Sequence, residues 1–227
     1  MFAYEKRLQF PVKIKNTNPD IAKLIISQYG GPDGELSASM RYLAQRYTMP
    51  VKKVGGLLTD IGTEELNHME IICAMVYQLT RDLSEKDVKT AGFDAYYIDH
   101  TKGLWPQAAA GVPFTSLEFQ SKGDAITDLF ENLAAEQKAR TVYDNLLRVI
   151  DDPDVTAPLK FLRAREIVHF QRFGEAKREV SSKYPGSGKP TPAPFCTRKN
   201  KNNICMKLSR IRGTLLQSVT PPFQLHR

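Results

Sequence analysis

Apolar positions recur at helical spacing along four long stretches of the chain, and turn-forming residues separate them. The first stretch covers about residues 20–47, with Gly30-Gly31-Pro32 set to kink or break it. Met49-Pro50 then turns the chain into a second helix over about 51–83. The pattern is less regular up to about residue 115, and Gly92, Gly103, Pro106, Gly111 and Pro113 fall within that span. A third helix fits 123–150, Asp151-Asp152-Pro153 makes a turn, and a fourth helix runs to about 182. Short turns inside each pair and one long connection between pairs predict an all-α fold, a four-helix bundle with a single crossover.

Ionisable residues interrupt two of the apolar stripes. Leu58, Ile61, Glu65, His68, Ile72, Met75 and Leu79 follow strict 3-4 spacing in the second helix. Leu159, Leu162, Glu166, His169, Phe173, Ala176 and Val180 do the same in the fourth. Each stripe thus carries a Glu-x-x-His at positions that a bundle normally fills with Leu or Ile, and residues three apart on a helix share a face. With 12 Glu in the chain, one such match is easily accidental; the spacing of the two is not. Glu35 precedes Glu65 by thirty residues, Glu136 precedes Glu166 by thirty, and the second set lies 101 residues after the first. Both midpoints, Pro50 and Asp151, stand at turn signals. Each half therefore reads as a helical hairpin holding its Glu and its Glu-x-x-His at equal height, about 20 Å from the turn.

Four carboxylates buried together are prohibitive unless protonated or neutralised by cations, and two divalent metals remove the difficulty. One Glu from each of two helices and Glu-x-x-His from the other two is the ferritin-like dinuclear carboxylate arrangement. Oxygen and imidazole ligands suit iron or manganese, and among the cysteines only Cys73 falls in the bundle. By sequence symmetry Glu65 and Glu166 are equivalent. Tyr42 and Tyr143 follow Glu35 and Glu136 by seven residues, so they are either a second shell that orients ligands or ordinary core tyrosines. His100 and His226 lie in the crossover and the tail, outside this pattern.

The charge of +7 changes the picture only for the tail. Seven basic and no acidic residues lie between Cys196 and Arg227, and removing them leaves 25 basic against 25 acidic residues. Nucleic acid is accordingly not an expected partner, and no aromatic residues interleave the tail's charges for base stacking. A Pro/Gly-rich stretch separates the tail from the body, so the reading is a bundle domain over 1–183 and a mostly disordered segment over 184–227. No apolar run approaches the roughly 18 residues that span a bilayer, and the start lacks the apolar core of a signal peptide. Synthesis in the cytoplasm without a membrane partner is the expectation. Three cysteines with no CxxC fit free thiols in a reducing compartment.

Two segments, Gln28-Tyr29-Gly30-Gly31-Pro32-Asp33-Gly34-Glu35-Leu36-Ser37 and Leu57-Leu58-Thr59-Asp60-Ile61-Gly62-Thr63-Glu64-Glu65-Leu66-Asn67-His68, resemble the manganese (non-haem) catalases. The opening Tyr4-Glu5-Lys6-Arg7-Leu8-Gln9-Phe10-Pro11-Val12 is similar to the branch found in bacterial spore coats, as are Ala109–Thr115 and Arg165–His169. The likeness covers about residues 3–180, and the chain after Tyr184 does not resemble the family. The resemblance implies two manganese ions per chain, with Glu35 and His68 on one, Glu136 and His169 on the other, and Glu65 bridging. It implies that Glu166 is an acid/base beside the metals rather than a full ligand, which breaks the sequence symmetry. At Ala135 some members of the family carry an arginine that restricts the site, so access is expected to differ here.

The activity so implied is disproportionation of hydrogen peroxide to dioxygen and water, in a homo-oligomer (a hexamer by resemblance) that associates with other spore-coat proteins. The rivals are a structural coat protein with a metal-stabilised bundle and a di-iron oxidase or storage protein. The ligand types alone do not separate iron from manganese.

Overall fold

The computed structural model describes residues 7–97 and 103–184, and the expectations for the tail, His100, His226, Cys196 and Cys205 lie outside them. The chain divides into two units, residues 1–187 and 188–227, and the described residues all belong to the first. Among the described residues there are seven α-helices and no strand, only an isolated bridge between Gln107 and Pro113.

The predicted first helix is three: α1 (Pro19–Ile25), α2 (Ser27–Gly30) and α3 (Glu35–Gln45). Asn18 starts α1 by accepting from the Ile21 amide at 3.0 Å, with Pro19 in the first turn, where its missing N–H costs nothing. The break at 31–34 has a packing cause. A Cβ on Gly34 would sit 2.9 Å from the Ser27 and Gln28 carbonyl oxygens, so the chain turns back on α2 only because that position is glycine. The break makes Glu35 the first residue of α3, where the helix N-terminus favours its carboxylate.

α4 (Lys52–Thr80) follows as the second limb, and it ends three residues before the expected boundary. Arg81 leaves the helix with extended backbone and donates to the carbonyls of Ile14 and Lys15. The irregular stretch contains a short helix that periodicity did not reveal, α5 (Glu85–Thr90), begun by a reciprocal cap between Ser84 and Asp87. Three 3-10 turns follow, at Asp94–Tyr97, Ala109–Gly111 and Ser116–Phe119. α6 (Ala125–Val149) and α7 (Pro153–Lys183) form the second hairpin, capped by Asp124 and Asp152.

The long crossover follows from where the limbs end. Gln45, at the end of α3, bonds Ser121 and Asn132, so α6 begins near the α3–α4 turn. The Tyr184 hydroxyl beyond α7 donates to the Pro50 carbonyl in that same turn. α4 ends at the opposite end of the bundle, and residues 81–124 must travel its length. The N-terminal segment lies along α4: the Gln9 amide donates to Asn67 and the Ile14 amide to Gln78.

The core is in two parts. One cluster packs Ile71, Ile72, Met75 and Leu79 against Leu146, Leu159 and Leu162. The other packs Leu58 and Ile61 against Leu129, Phe173, Ala176 and Val180. Every member of the two interrupted stripes is buried, including the four ionisable residues. These form a polar layer between the apolar clusters. Among the described residues no helix is long and apolar enough to cross a membrane.

Candidate metal centre

Glu65 and Glu166 stand thirteen residues into α4 and α7, and each helix offers its histidine one turn further on. α3 and α6 each add one carboxylate, Glu35 and Glu136. All six residues are at most 2% exposed. Donor atoms of Glu35, Glu65, His68 and Glu166 lie within 4.8 Å of one another, and so do those of Glu65, Glu136, Glu166 and His169. The two sets share Glu65 and Glu166. The fold thus brings together every ligand candidate that the repeat singled out.

Glu65 serves both histidines, one oxygen each: His68 Nδ1 lies 2.8 Å from its Oε2 and His169 Nδ1 lies 2.8 Å from its Oε1. Glu35 and Glu136 stand outside, 3.7 Å and 3.6 Å from the same two nitrogens. The imidazoles stack with centroids 5.6 Å apart. Glu166 faces them with an oxygen that has no hydrogen-bond partner.

This donor set fits a pair of cations. His169 Nδ1 and Glu65 Oε1 are close enough to bond but not aligned to do so, and neither has a hydrogen-bond partner. Glu136 Oε2 and Glu166 Oε1 are buried and orphaned in the same way. Such atoms are costly unless something satisfies them, and four carboxylates balance two divalent charges.

The electrostatics of the bare side chains express the same demand. Burial, opposed by His68 and helped by the charge of Glu65, pushes Glu35 up to about 7. Burial and the charges of Glu136, Glu35 and Glu65 push Glu166 well above the usual carboxylate range. For Glu65 burial works upward as well, but the charges of His169 and His68 outweigh it and hold the carboxyl low. Burial works to depress both histidines, and the carboxylates around them, Glu65 foremost, raise them instead.

Tyr42 and Tyr143 are buried and touch the carboxylates, but across the bundle. The Tyr42 hydroxyl donates to Glu136 Oε1 at 2.5 Å and the Tyr143 hydroxyl donates to Glu35 Oε1. Each phenol lies two turns along its own helix from one carboxylate and bonds the other's, because the helices of the two hairpins face one another. Sequence spacing located the residues and could not give the pairing.

Glu64 was missed. Its Oε2 accepts from His169 Nε2 at 3.0 Å, and its Oε1 lies 3.6 Å from His68 Nε2. Arg165 donates to both oxygens, at 2.7 and 3.2 Å, and the Gln9 side chain adds a bond at 2.9 Å. Burial would raise its carboxyl, and the hydrogen bonds from His169 and Arg165, with the His68 imidazole close by, bring it far below the usual range. A signal was present: Glu64 precedes His68 by four residues, and Arg165 holds the same place before His169, 101 residues on.

A narrow cleft reaches the layer from the other side, bordered by Gly34, Glu35, Ala38, Tyr42, Ala135 and Glu166. Ala135 lines it with a small side chain. Glu166 meets the cleft, whereas Glu65 lies between the histidines, and the near-symmetry of the sequence ends there.

Relatives agree with this architecture. The chain is 55% identical over 176 residues to Protein CotJC of Bacillus subtilis, covering 78% of this chain and 93% of the relative. It is 37% identical over 193 residues to a probable manganese catalase of Clostridium acetobutylicum, covering 83% and 84%. Its fold superposes on the crystal structure of KatB, a manganese catalase from Anabaena, with a TM-score of 0.72 and 29% identity over 85% of this chain and 84% of that one. The model of the manganese containing catalase family matches residues 1–214, so the likeness runs well past Tyr184, where the motifs had suggested that it stops. With a family model matched over most of its length and a buried carboxylate–histidine layer at its centre, the chain belongs to the manganese-containing catalase family.

Proposed function

We propose that this protein disproportionates hydrogen peroxide at a pair of manganese ions held by Glu35, Glu65, His68, Glu136 and His169. The observation that carries the reading is the pair of overlapping donor sets, each with one imidazole and three carboxylates, in a chain of this family. When bound, the metal pair supplies a two-electron store, which lets one peroxide be oxidised to dioxygen and another be reduced to two waters.

The chain's own residues do the rest. Glu65, with one oxygen toward each histidine, would help to hold both metals. Glu166 borders the cleft with an unpartnered oxygen and takes the role of proton carrier: of the two protons lost by the peroxide that is oxidised and the two taken up by the one that is reduced, it carries one at a time. Tyr42 and Tyr143 hold Glu136 and Glu35 by Oε1, which leaves Oε2 of each on the side of the histidines. The apolar clusters on both sides of the layer keep bulk water away from it.

A second reading, a metal-stabilised structural component of the spore coat, draws on the 55% identity to CotJC and on the resemblance of the N-terminal segment to the coat branch. The two readings are compatible, and one measurement separates them. Protein purified from manganese-supplemented cells is assayed for bound manganese and iron and for oxygen release from peroxide. About two manganese per chain with rapid oxygen release, lost in Glu166→Gln while the metal stays, is the expected result. Bound manganese without oxygen release leaves the structural reading, predominant iron shifts the chemistry to iron, and Glu166→Gln at full turnover removes the proton carrier.

A further inference from the structure

We infer that Glu64 is a positioning residue shared by both histidines, fixing the two imidazoles so that Nδ1 of each faces the metal pair. The inference rests on the dinuclear reading above and concerns a residue outside its ligand set.

Neutral imidazole carries its proton on one nitrogen and ligates through the other, so whatever accepts the N–H selects the tautomer and the ring orientation. In both histidines Nδ1 faces the buried carboxylates and Nε2 faces outward toward Glu64. A simple duplication would give each histidine its own carboxylate four residues before it on its helix. α4 has this arrangement, with Glu64 before His68, but α7 carries Arg165 before His169. A guanidinium cannot accept from an imidazole N–H. His169 therefore turns to Glu64 on the opposite helix, at 3.0 Å, and Arg165 grips the same carboxylate in a two-point fork.

The substitution has an electrostatic consequence. A glutamate at 165 would bring a further negative charge beside four carboxylates that already match two divalent cations. The Glu64–Arg165 pair is neutral, so it orients both rings without changing that balance. Its contacts with the two rings are unequal. His169 is held by a hydrogen bond, while His68 Nε2 lies 3.6 Å from the carboxylate and has no hydrogen-bond partner. The two metal positions are thus not equivalent, and the one at His169 is held by the more firmly oriented ring.

The test compares wild type, Glu64→Ala and Glu64→Gln for bound manganese per chain, affinity by chelator competition, and the electron paramagnetic resonance spectrum of the manganese, with helical circular dichroism as the fold control. Glu64→Ala is expected to weaken manganese binding about 10–100-fold and to alter the resonance spectrum, with Glu64→Gln between it and wild type because its amide oxygen still accepts from one ring. Two manganese bound by Glu64→Ala with wild-type affinity and spectrum would overturn the inference. If Glu64→Ala does not fold, the isosteric Glu64→Gln decides by the same measure. Wild type that binds no metal would instead remove the dinuclear reading, and the two failures are distinct.

Discussion

The side chains of the central layer divide by what surrounds them rather than by type. Glu65 and Glu166 occupy repeat-equivalent positions, yet Glu65 lies between two imidazoles while Glu166 borders the cleft beside other carboxylates. The tyrosines are a test of how much the layer depends on its outer bonds. Tyr143→Phe keeps the ring and removes the donor to Glu35, and Tyr42→Phe does the same for Glu136. If these were only core aromatics, the loss of a hydroxyl would cost little. A buried carboxylate oxygen left without its donor costs about 1–3 kcal/mol, so each variant is expected to lower the stability of the metal-free protein by that amount in urea unfolding. The fall should reach metal retention as well, read by chelator competition.

At the level of elements, the long helices place the ligands and the breaks set their register. Gly30 ends α2 against the crossover, where a Cβ would lie 2.2 Å from the Gln107 amide nitrogen and 2.3 Å from the Pro106 carbonyl carbon. Gly30→Ala must push backbone against backbone, and a loss of about 1–3 kcal/mol or more in thermal or urea unfolding is expected. Gly56 is the contrast: it is exposed inside α4, and a Cβ there meets nothing within 4 Å. Gly56→Ala is expected to stabilise by about 0.5–1 kcal/mol, since alanine gives up less backbone entropy in a helix. Much of this level was legible in the chain. The four long stripes, both turns and the crossover follow from periodicity and punctuation. The division of the first helix into three was not settled by Gly30-Gly31-Pro32, which fits a kink as well as a break. α5 escaped because six residues are too few for a period to show.

For the whole molecule, the buried layer links stability to metal and to pH. Without metal, Glu35 is pushed up to about 7 and Glu166 well above its usual range, while His68 and His169 are held protonated above theirs. From the ordinary carboxyl range to about pH 7 the folded chain therefore binds more protons than the unfolded one, and its stability falls as pH rises. The low-lying carboxyls of Glu64 and Glu65 act with the opposite sign, but their contribution is lost only on acidification below the ordinary carboxyl range. The metal-free protein is expected to melt at progressively lower temperature between about pH 5 and 7. Manganese should raise the melting temperature and abolish that decline, because the cations replace the protons. A melting temperature of the metal-free form that rises over the same interval would contradict this account of the layer.

Periodicity along the chain was enough for the long helical stretches, their pairing into hairpins and the six residues at the centre, because an ionisable side chain inside an apolar stripe is a pattern that a linear sequence records. The doubled spacing of Glu35, Glu65 and His68 and of Glu136, Glu166 and His169 recorded the two-fold arrangement as well. Which groups meet across the bundle came from the packing of the hairpins. That Tyr143 bonds Glu35, that one carboxylate, Glu64, faces both histidines, and that Glu166 rather than Glu65 borders the cleft all depend on how two hairpins pack face to face. Contacts between hairpins join residues some hundred positions apart on different helices, and periodicity along one helix carries no information about them.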